Sequence, residues 1–166
     1  KTKYEGYCSD VFTDEAINFI EQNSESAFFC YLSFNAPHTP LQVPDEFLEE
    51  YLDSNITDIY EDGKNPMTNK DIEDAKKIYA MISNIDFNVG KVLDKITELG
   101  IEEDTIIIFM TDNGPQQLRY NANLRGLKGT VYNGGIKVPF YFKYPKLQDT
   151  RKQINTLSAH IDLLPT

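Results

Sequence analysis

Between Asn69 and Leu99 apolar side chains return every three or four residues: Ile78, Ile82, Ile85, Val89, Val92, Leu93 and Ile96. This spacing predicts one long helix with a single buried stripe. Gly100 follows as a stop. Then Thr105–Met110, "TIIIFM", runs apolar over a length that suits a buried strand. A helix stripe and a strand apolar throughout both have to be covered, which calls for layers packed on one another. In "DTIIIFMTDNGPQ", residues 104–116, that strand runs straight into Asp112, Asn113 and Gly114, a carboxylate beside a carboxamide where the chain turns.

The rest of the chain repeats this alternation. "FTDEAINFIEQN", residues 12–23, predicts a helix with Thr13 as N-cap and Asp14 and Glu15 in its first turn. Ala16, Ile17, Phe19 and Ile20 form its expected buried face. "AFFCYLSF", residues 27–34, predicts a buried strand. It ends at "NAPHTPLQVP", where three prolines within eight residues exclude a regular helix or a central strand. "DEFLEEYL" predicts a short helix, residues 53–68 a polar surface excursion, "KVPFYFKYP" another strand, and "SAHIDLLPT" the start of a helix. Together these predict an α/β domain with a mostly parallel sheet flanked by helices. Ligands of such sheets gather beyond the carboxyl ends of the strands. The loops carrying His38 and Asp112 both fall there.

Bulk properties narrow the function classes. The 166 residues fit one domain with a sizeable core, and 40% hydrophobic content is that of a globular chain. No apolar run approaches the ~20 residues that span a bilayer, and "KTKYEGYCSD" lacks a signal peptide's apolar stretch. A net charge of −10 disfavours general binding to nucleic acid or to an anionic membrane. That charge is uneven. Residues 1–113 carry 24 acidic and 8 basic side chains, whereas residues 114–166 carry 2 acidic and 8 basic. A basic segment that begins just after Asp112-Asn113 points to a local anion site, although lysines and arginines that merely solvate a surface give the same pattern. Cys8 and Cys30 lack metal-ligand spacing, and Cys30 in "FFCYL" reads as a buried, inert thiol.

Four positions carry candidate chemistry. Asp112 and Asn113 offer two hard oxygen ligands of the kind that Ca²⁺ or Mg²⁺ takes, but Ca²⁺ needs ~6–8 oxygens. An Asx-type turn closing the strand explains the same residues. His38, between Pro37 and Pro40, sits on a stiff loop able to aim an acid or base. A hydrogen-bonded structural histidine is the alternative, and it is the stronger reading for His160. Lys128 lies between Gly126 and Gly129, where backbone and ligand can approach closely and an ammonium can hold a tetrahedral oxyanion. The segment is not a P-loop, because Gly-x-x-x-x-Gly-Lys-Ser/Thr is absent. Arg119 and Arg125 extend an anion site or belong to the surface.

Taken in order, "FFCYLSFNAPHTPLQVP", "AMISNIDFNVGKVLDKITELGIEEDTIIIFMTDNGP", "LRGLKGTVYNGGIKVPFYFKYP" and "SAHIDLLPT" resemble the type I, formylglycine-dependent sulfatase family of the alkaline-phosphatase-like superfamily. The resemblance runs from about Tyr7 to Thr166. It implies that Asp112 and Asn113 are the Asp-Asn pair that binds the catalytic Ca²⁺, and that His38 contacts the sulfate and helps protonate the leaving oxygen. Lys128 matches the lysine that bridges sulfate oxygens, with Arg125 as a further substrate-binding candidate. The implied substrate is a sulfate ester on a carbohydrate.

The departures from the family pattern are as informative. No Cys/Ser-x-Pro/Ala-x-Arg stretch, the source of the formylglycine nucleophile, occurs here: Cys8 reads "CSDVF". The family's N-terminal Asp-Asp metal pair and the Lys and His that support the nucleophile are also not found. Residues 1–166 are therefore expected to be the central part of a sulfatase catalytic domain, truncated at both ends, with the remainder of the sulfatase chain as partner. A phosphatase or phosphodiesterase of the same superfamily and a catalytically inactive glycan-binding relative are the alternative readings. By family habit the parent is expected in the periplasm, outside the cell or in a lysosome.

Overall fold

The computed structural model describes residues 3–56, 67–147 and 153–165. Residues 57–66 of the expected polar excursion lie outside that description. Three helices form the larger layer: α1 (Cys8–Asn23), α2 (Asp45–Leu52) and α3 (Asn69–Glu98). A 3-10 turn, Glu102–Asp104, leads into β1 (Ile107–Met110). A short helix α4 (Asn133–Ile136) precedes β2 (Phe140–Lys143), and a second 3-10 turn covers His160–Asp162.

α3 is the spine on which α1 and α2 both pack. Thr68 caps its start: the hydroxyl accepts from the Asp71 N–H at 3.2 Å while the Asp71 carboxylate accepts from the Thr68 N–H at 2.8 Å. This reciprocal pair satisfies two otherwise orphaned donors. The end of α3 is where the periodicity placed it. Gly100 adopts φ 68°, and the N–H groups of Gly100 and Ile101 reach back to the carbonyls of Thr97 and Ile96 at 3.0 and 3.2 Å. That double closure needs a left-handed residue at its corner, which glycine supplies without a Cβ penalty.

The buried stripe of α3 is turned from the expected one. Ile78, Ile85 and Ile96 are buried, but Ile82 is 42% exposed. Its place in the core is taken by Ala75, Met81, Asn84 and Asn88. The two asparagines are fully buried because α1 brings a carboxylate to them: Asp10 Oδ1 accepts from Asn84 Nδ2 at 2.8 Å and from Asn88 Nδ2 at 2.7 Å. α1 itself starts at Cys8, so Thr13 is not its N-cap but an interior residue. Thr13 Oγ1 donates to the Ser9 carbonyl at 2.8 Å, one turn back, and faces α3 together with Ser9, Ala16 and Ile20. A buried polar seam of this kind is tolerated when its donors find acceptors. Asp10→Ala would remove the acceptor of the buried Asn84 amide, whereas Asn88 Nδ2 keeps the Asn84 carbonyl and Oδ1. The expected cost is about 1–3 kcal/mol. Urea unfolding of the variant measures this, and a shift below ~1 kcal/mol would contradict it.

The α/β class holds, but the sheet differs from the expected one. β1 and β2 pair antiparallel, Ile107 opposite Lys143 and Met110 opposite Phe140, and this is the one ladder among the described residues. Residues 27–34 form no strand there, and Phe29 and Tyr31 are 86% and 82% exposed. A run apolar on both faces is a strand only when neighbours supply ladder bonds and cover, and no described segment does so. Two surface ion pairs, Lys143–Glu102 at 2.5 Å and Lys146–Asp104, tie β2 to the first 3-10 turn. Exposed pairs of this kind contribute little stability but hold register.

Candidate functional site

β1 delivers Asp112 and Asn113 just past its carboxyl end. Asn113 Nδ2 donates to Asp112 Oδ2, so the two side chains lie together, and Asp112 is exposed. Beyond them the chain enters a junction made almost entirely of backbone. Gly114 N donates to the Gly135 carbonyl at 2.9 Å, Lys128 N to the Pro115 carbonyl at 2.8 Å, and Gly134 N to the Arg125 carbonyl at 2.7 Å. No side chain fits between these strands of loop. A Cβ on Gly114 would lie 1.8 Å from the Gly134 oxygen, and one on Gly134 would lie 2.1 Å from the Gly126 oxygen. Gly134 and Gly135 of "RGLKGTVYNGG" thus serve close backbone approach, whereas Gly126 and Gly129 supply left-handed turns at φ 94° and 84°. The junction holds the Asp112-Asn113 turn against the loop that carries Lys128.

Lys128 is exposed, so its ammonium is available to an anion. Arg125 is engaged within the chain. Its guanidinium carbon lies 3.9 Å from the centre of the Tyr132 ring, and Nη2 donates to the Tyr132 hydroxyl at 2.9 Å. Stacking of this type orients the fork of donors without neutralising it.

The two histidines occupy different settings. His38 is exposed between the cis peptide bonds Ala36–Pro37 and Thr39–Pro40. Its Nδ1 lies 2.9 Å from the Thr39 carbonyl oxygen, a pure acceptor, so Nδ1 carries a proton and Nε2 is the nitrogen left for exchange. No hydrogen bond or ion pair among the described residues ties the His38 loop to the Asp112 or Lys128 loops. His160 is brought to the site instead: its Nε2 donates to the Thr111 carbonyl at 3.0 Å, beside Asp112. That contact spans 49 residues of sequence and had no local signal. The structural reading of His160 matches what it does, which is to brace the strand end.

Donor chemistry at Asp112 and Asn113 suits a hard cation. Their number does not complete a site, since no group of three or more His, Cys, Asp or Glu able to hold a metal occurs among the described residues.

The family model described as Sulfatase matches residues 1–166. The chain belongs to the sulfatase family. It is 30% identical to a protein named Sulfatase from Formosa agariphila over 96% of its own length and 29% of that relative's. It is 29% identical to the uncharacterized sulfatase YdeN of Escherichia coli, over 97% of its length and 27% of the relative's. A crystal structure of Ps i-CgsB in complex with k-i-k-neocarrahexaose superposes with a TM-score of 0.74 at 32% identity, covering 90% of this chain and 31% of that one. The sulfatase chain therefore spans less than a third of these relatives, and its α/β fold is a partial domain of the alkaline-phosphatase-like superfamily.

Proposed function

We propose that residues 1–166 are the central part of a sulfatase catalytic domain whose parent protein hydrolyses sulfate esters on carbohydrates. The observation that carries this reading is the glycine junction, which holds the Asp112-Asn113 turn against the Lys128 loop in a chain matched throughout to the sulfatase family. The carbohydrate part is supported by the sulfatase-like structure that holds k-i-k-neocarrahexaose, a sugar oligomer by its name.

In this reading each residue has a separable task. Asp112 and Asn113 supply two oxygen ligands to Ca²⁺, the others coming from the remainder of the domain. Bound Ca²⁺ supplies positive charge against sulfuryl oxygens. The Lys128 ammonium binds those oxygens and offsets the charge that moves onto them as the ester bond breaks. His38, with Nδ1–H held by the Thr39 carbonyl, gives the proton at Nε2 to the leaving sugar oxygen. The formylglycine nucleophile belongs to the remainder of the domain, because no Cys/Ser-x-Pro/Ala-x-Arg stretch lies in these 166 residues.

The test is turnover of an aryl sulfate and of sulfated oligosaccharides by the full-length protein, with formylglycine confirmed by mass spectrometry. Chelator treatment should abolish turnover, and added Ca²⁺ should restore it. An absence of turnover despite confirmed formylglycine sinks the sulfatase reading. Stoichiometric zinc in the purified protein would favour the phosphatase alternative.

A further inference from the structure

The loop that leaves the junction at Pro115 returns to it at Lys128, closed at its base by the 2.8 Å bond between them. Its ends meet at that bond, which is the form of an Ω-loop. Arg119 lies on it, half-buried. Its one hydrogen bond among the described residues is a long 3.5 Å contact from Nη1 to the Gln117 carbonyl, and no carboxylate among them pairs with it. Burial holds the guanidinium below its ordinary range, with the Tyr79 phenol acting weakly the other way. A half-buried cation with no counter-charge among the described residues is an arrangement that a bound anion relieves.

Three further features show the loop held in one shape around that cation. Tyr120 N donates to Tyr79 Oη at 3.3 Å, docking the loop on α3. The Tyr79 hydroxyl is thereby used as an acceptor, and its own proton is left to donate. Ala122 and Asn123 both adopt φ 58°, a left-handed pair that non-glycine residues enter only under constraint. Asn121 Nδ2 donates to the Leu124 carbonyl at 2.8 Å, whereas its Oδ1 is buried without a donor. Backbone strain and an orphaned acceptor on one short loop mark a conformation kept for something other than stability.

We infer that Arg119, with the Tyr79 hydroxyl that holds the neighbouring Tyr120, is a second anion subsite that recognises a further sulfate or carboxylate on the sugar chain, away from the ester being cleaved. The inference rests on the sulfatase reading and narrows its substrate class to carbohydrates with more than one anionic group. The Arg119 subsite lies on the loop that closes at the Lys128 junction.

The experiment uses the full-length protein and two probes, p-nitrophenyl sulfate with one anionic group and sucrose octasulfate as a polyanionic sugar. For Arg119→Ala, inhibition of aryl sulfate turnover by sucrose octasulfate should weaken about tenfold or more relative to any change in kcat/KM for the aryl sulfate. Tyr79→Phe should weaken it in the same direction by a smaller factor, and Arg119→Lys should retain part of it. Inhibition by inorganic sulfate should change no more than the aryl sulfate KM does. Equal losses for the aryl sulfate and the polyanion, or unaltered polyanion inhibition in a variant with the wild-type melting curve, would overturn the subsite. If the wild-type protein, with formylglycine confirmed, turns over neither the aryl sulfate nor sulfated oligosaccharides, the sulfatase reading fails on its own. Calorimetric binding of sucrose octasulfate to wild type and to Arg119→Ala and Arg119→Lys then judges the subsite separately, with undiminished binding in both variants counting against it.

Discussion

Lys128→Ala in the full-length protein is expected to lower kcat for an aryl sulfate by about 10²–10³-fold, the loss seen on removing one donor from a preorganised oxyanion site. The lysine backbone is fixed by its N–H bond to the Pro115 carbonyl, which does not depend on the side chain, so the truncation should leave the junction intact. The change should fall mostly on kcat, because charge on the sulfuryl oxygens grows as the ester bond breaks. Lys128→Arg keeps the charge but exchanges a compact ammonium for a planar fork, and it should recover only part of the rate. Lys137→Ala, at the exposed end of α4, is the comparison that should leave turnover near wild type. A Lys128→Ala enzyme within threefold of wild type would remove Lys128 from the site.

A second large effect is expected from a single methyl group. Gly134→Ala would place a Cβ 2.1 Å from the Gly126 carbonyl oxygen and 2.7 Å from that of Arg125. Both are backbone atoms, so no side-chain rotation relieves the contact, and the junction has to open. The expected cost is about 3 kcal/mol or more, at the upper end of overpacking effects. Because Gly134 also abuts Gly114, beside the Asp112 turn, aryl sulfate turnover should fall with stability. Gly90 supplies the opposite case within the same chain. It lies in the middle of α3, and a Cβ there meets nothing within 4 Å. Gly90→Ala should stabilise by about 0.5–1 kcal/mol through the better helix propensity of alanine. Denaturant midpoints of the two variants should therefore move in opposite directions. A Gly134→Ala protein as stable as wild type would mean that the junction is looser than its contacts indicate.

The features of α3 show how far local pattern reaches. Its length and its stop at Gly100 were legible because helix periodicity and glycine's left-handed φ act within a few residues. Which side of α3 faces inward was not. Ile82 carries the right hydrophobicity for the stripe but is partly exposed, while Asn84 and Asn88 are buried by an acceptor 74 and 78 residues away. Polarity alone cannot reveal such a partner. The run at 27–34 failed differently, since its composition answers to ladder neighbours rather than to itself.

For the candidate site, the chain by itself determined the parts: an Asp-Asn pair after an apolar strand, a lysine set among glycines, a histidine between prolines. These were readable because each depends on residue type and immediate spacing. Tertiary structure decided which parts meet. It showed that Gly134 and Gly135 serve to bring backbone against backbone, that Arg125 stacks on Tyr132 while Arg119 sits half-buried with no counter-charge among the described residues, and that His160 braces the Asp112 strand end. Those facts depend on contacts between residues far apart in the chain, and their energies come from exclusion of water and close approach, which no local stretch of sequence contains.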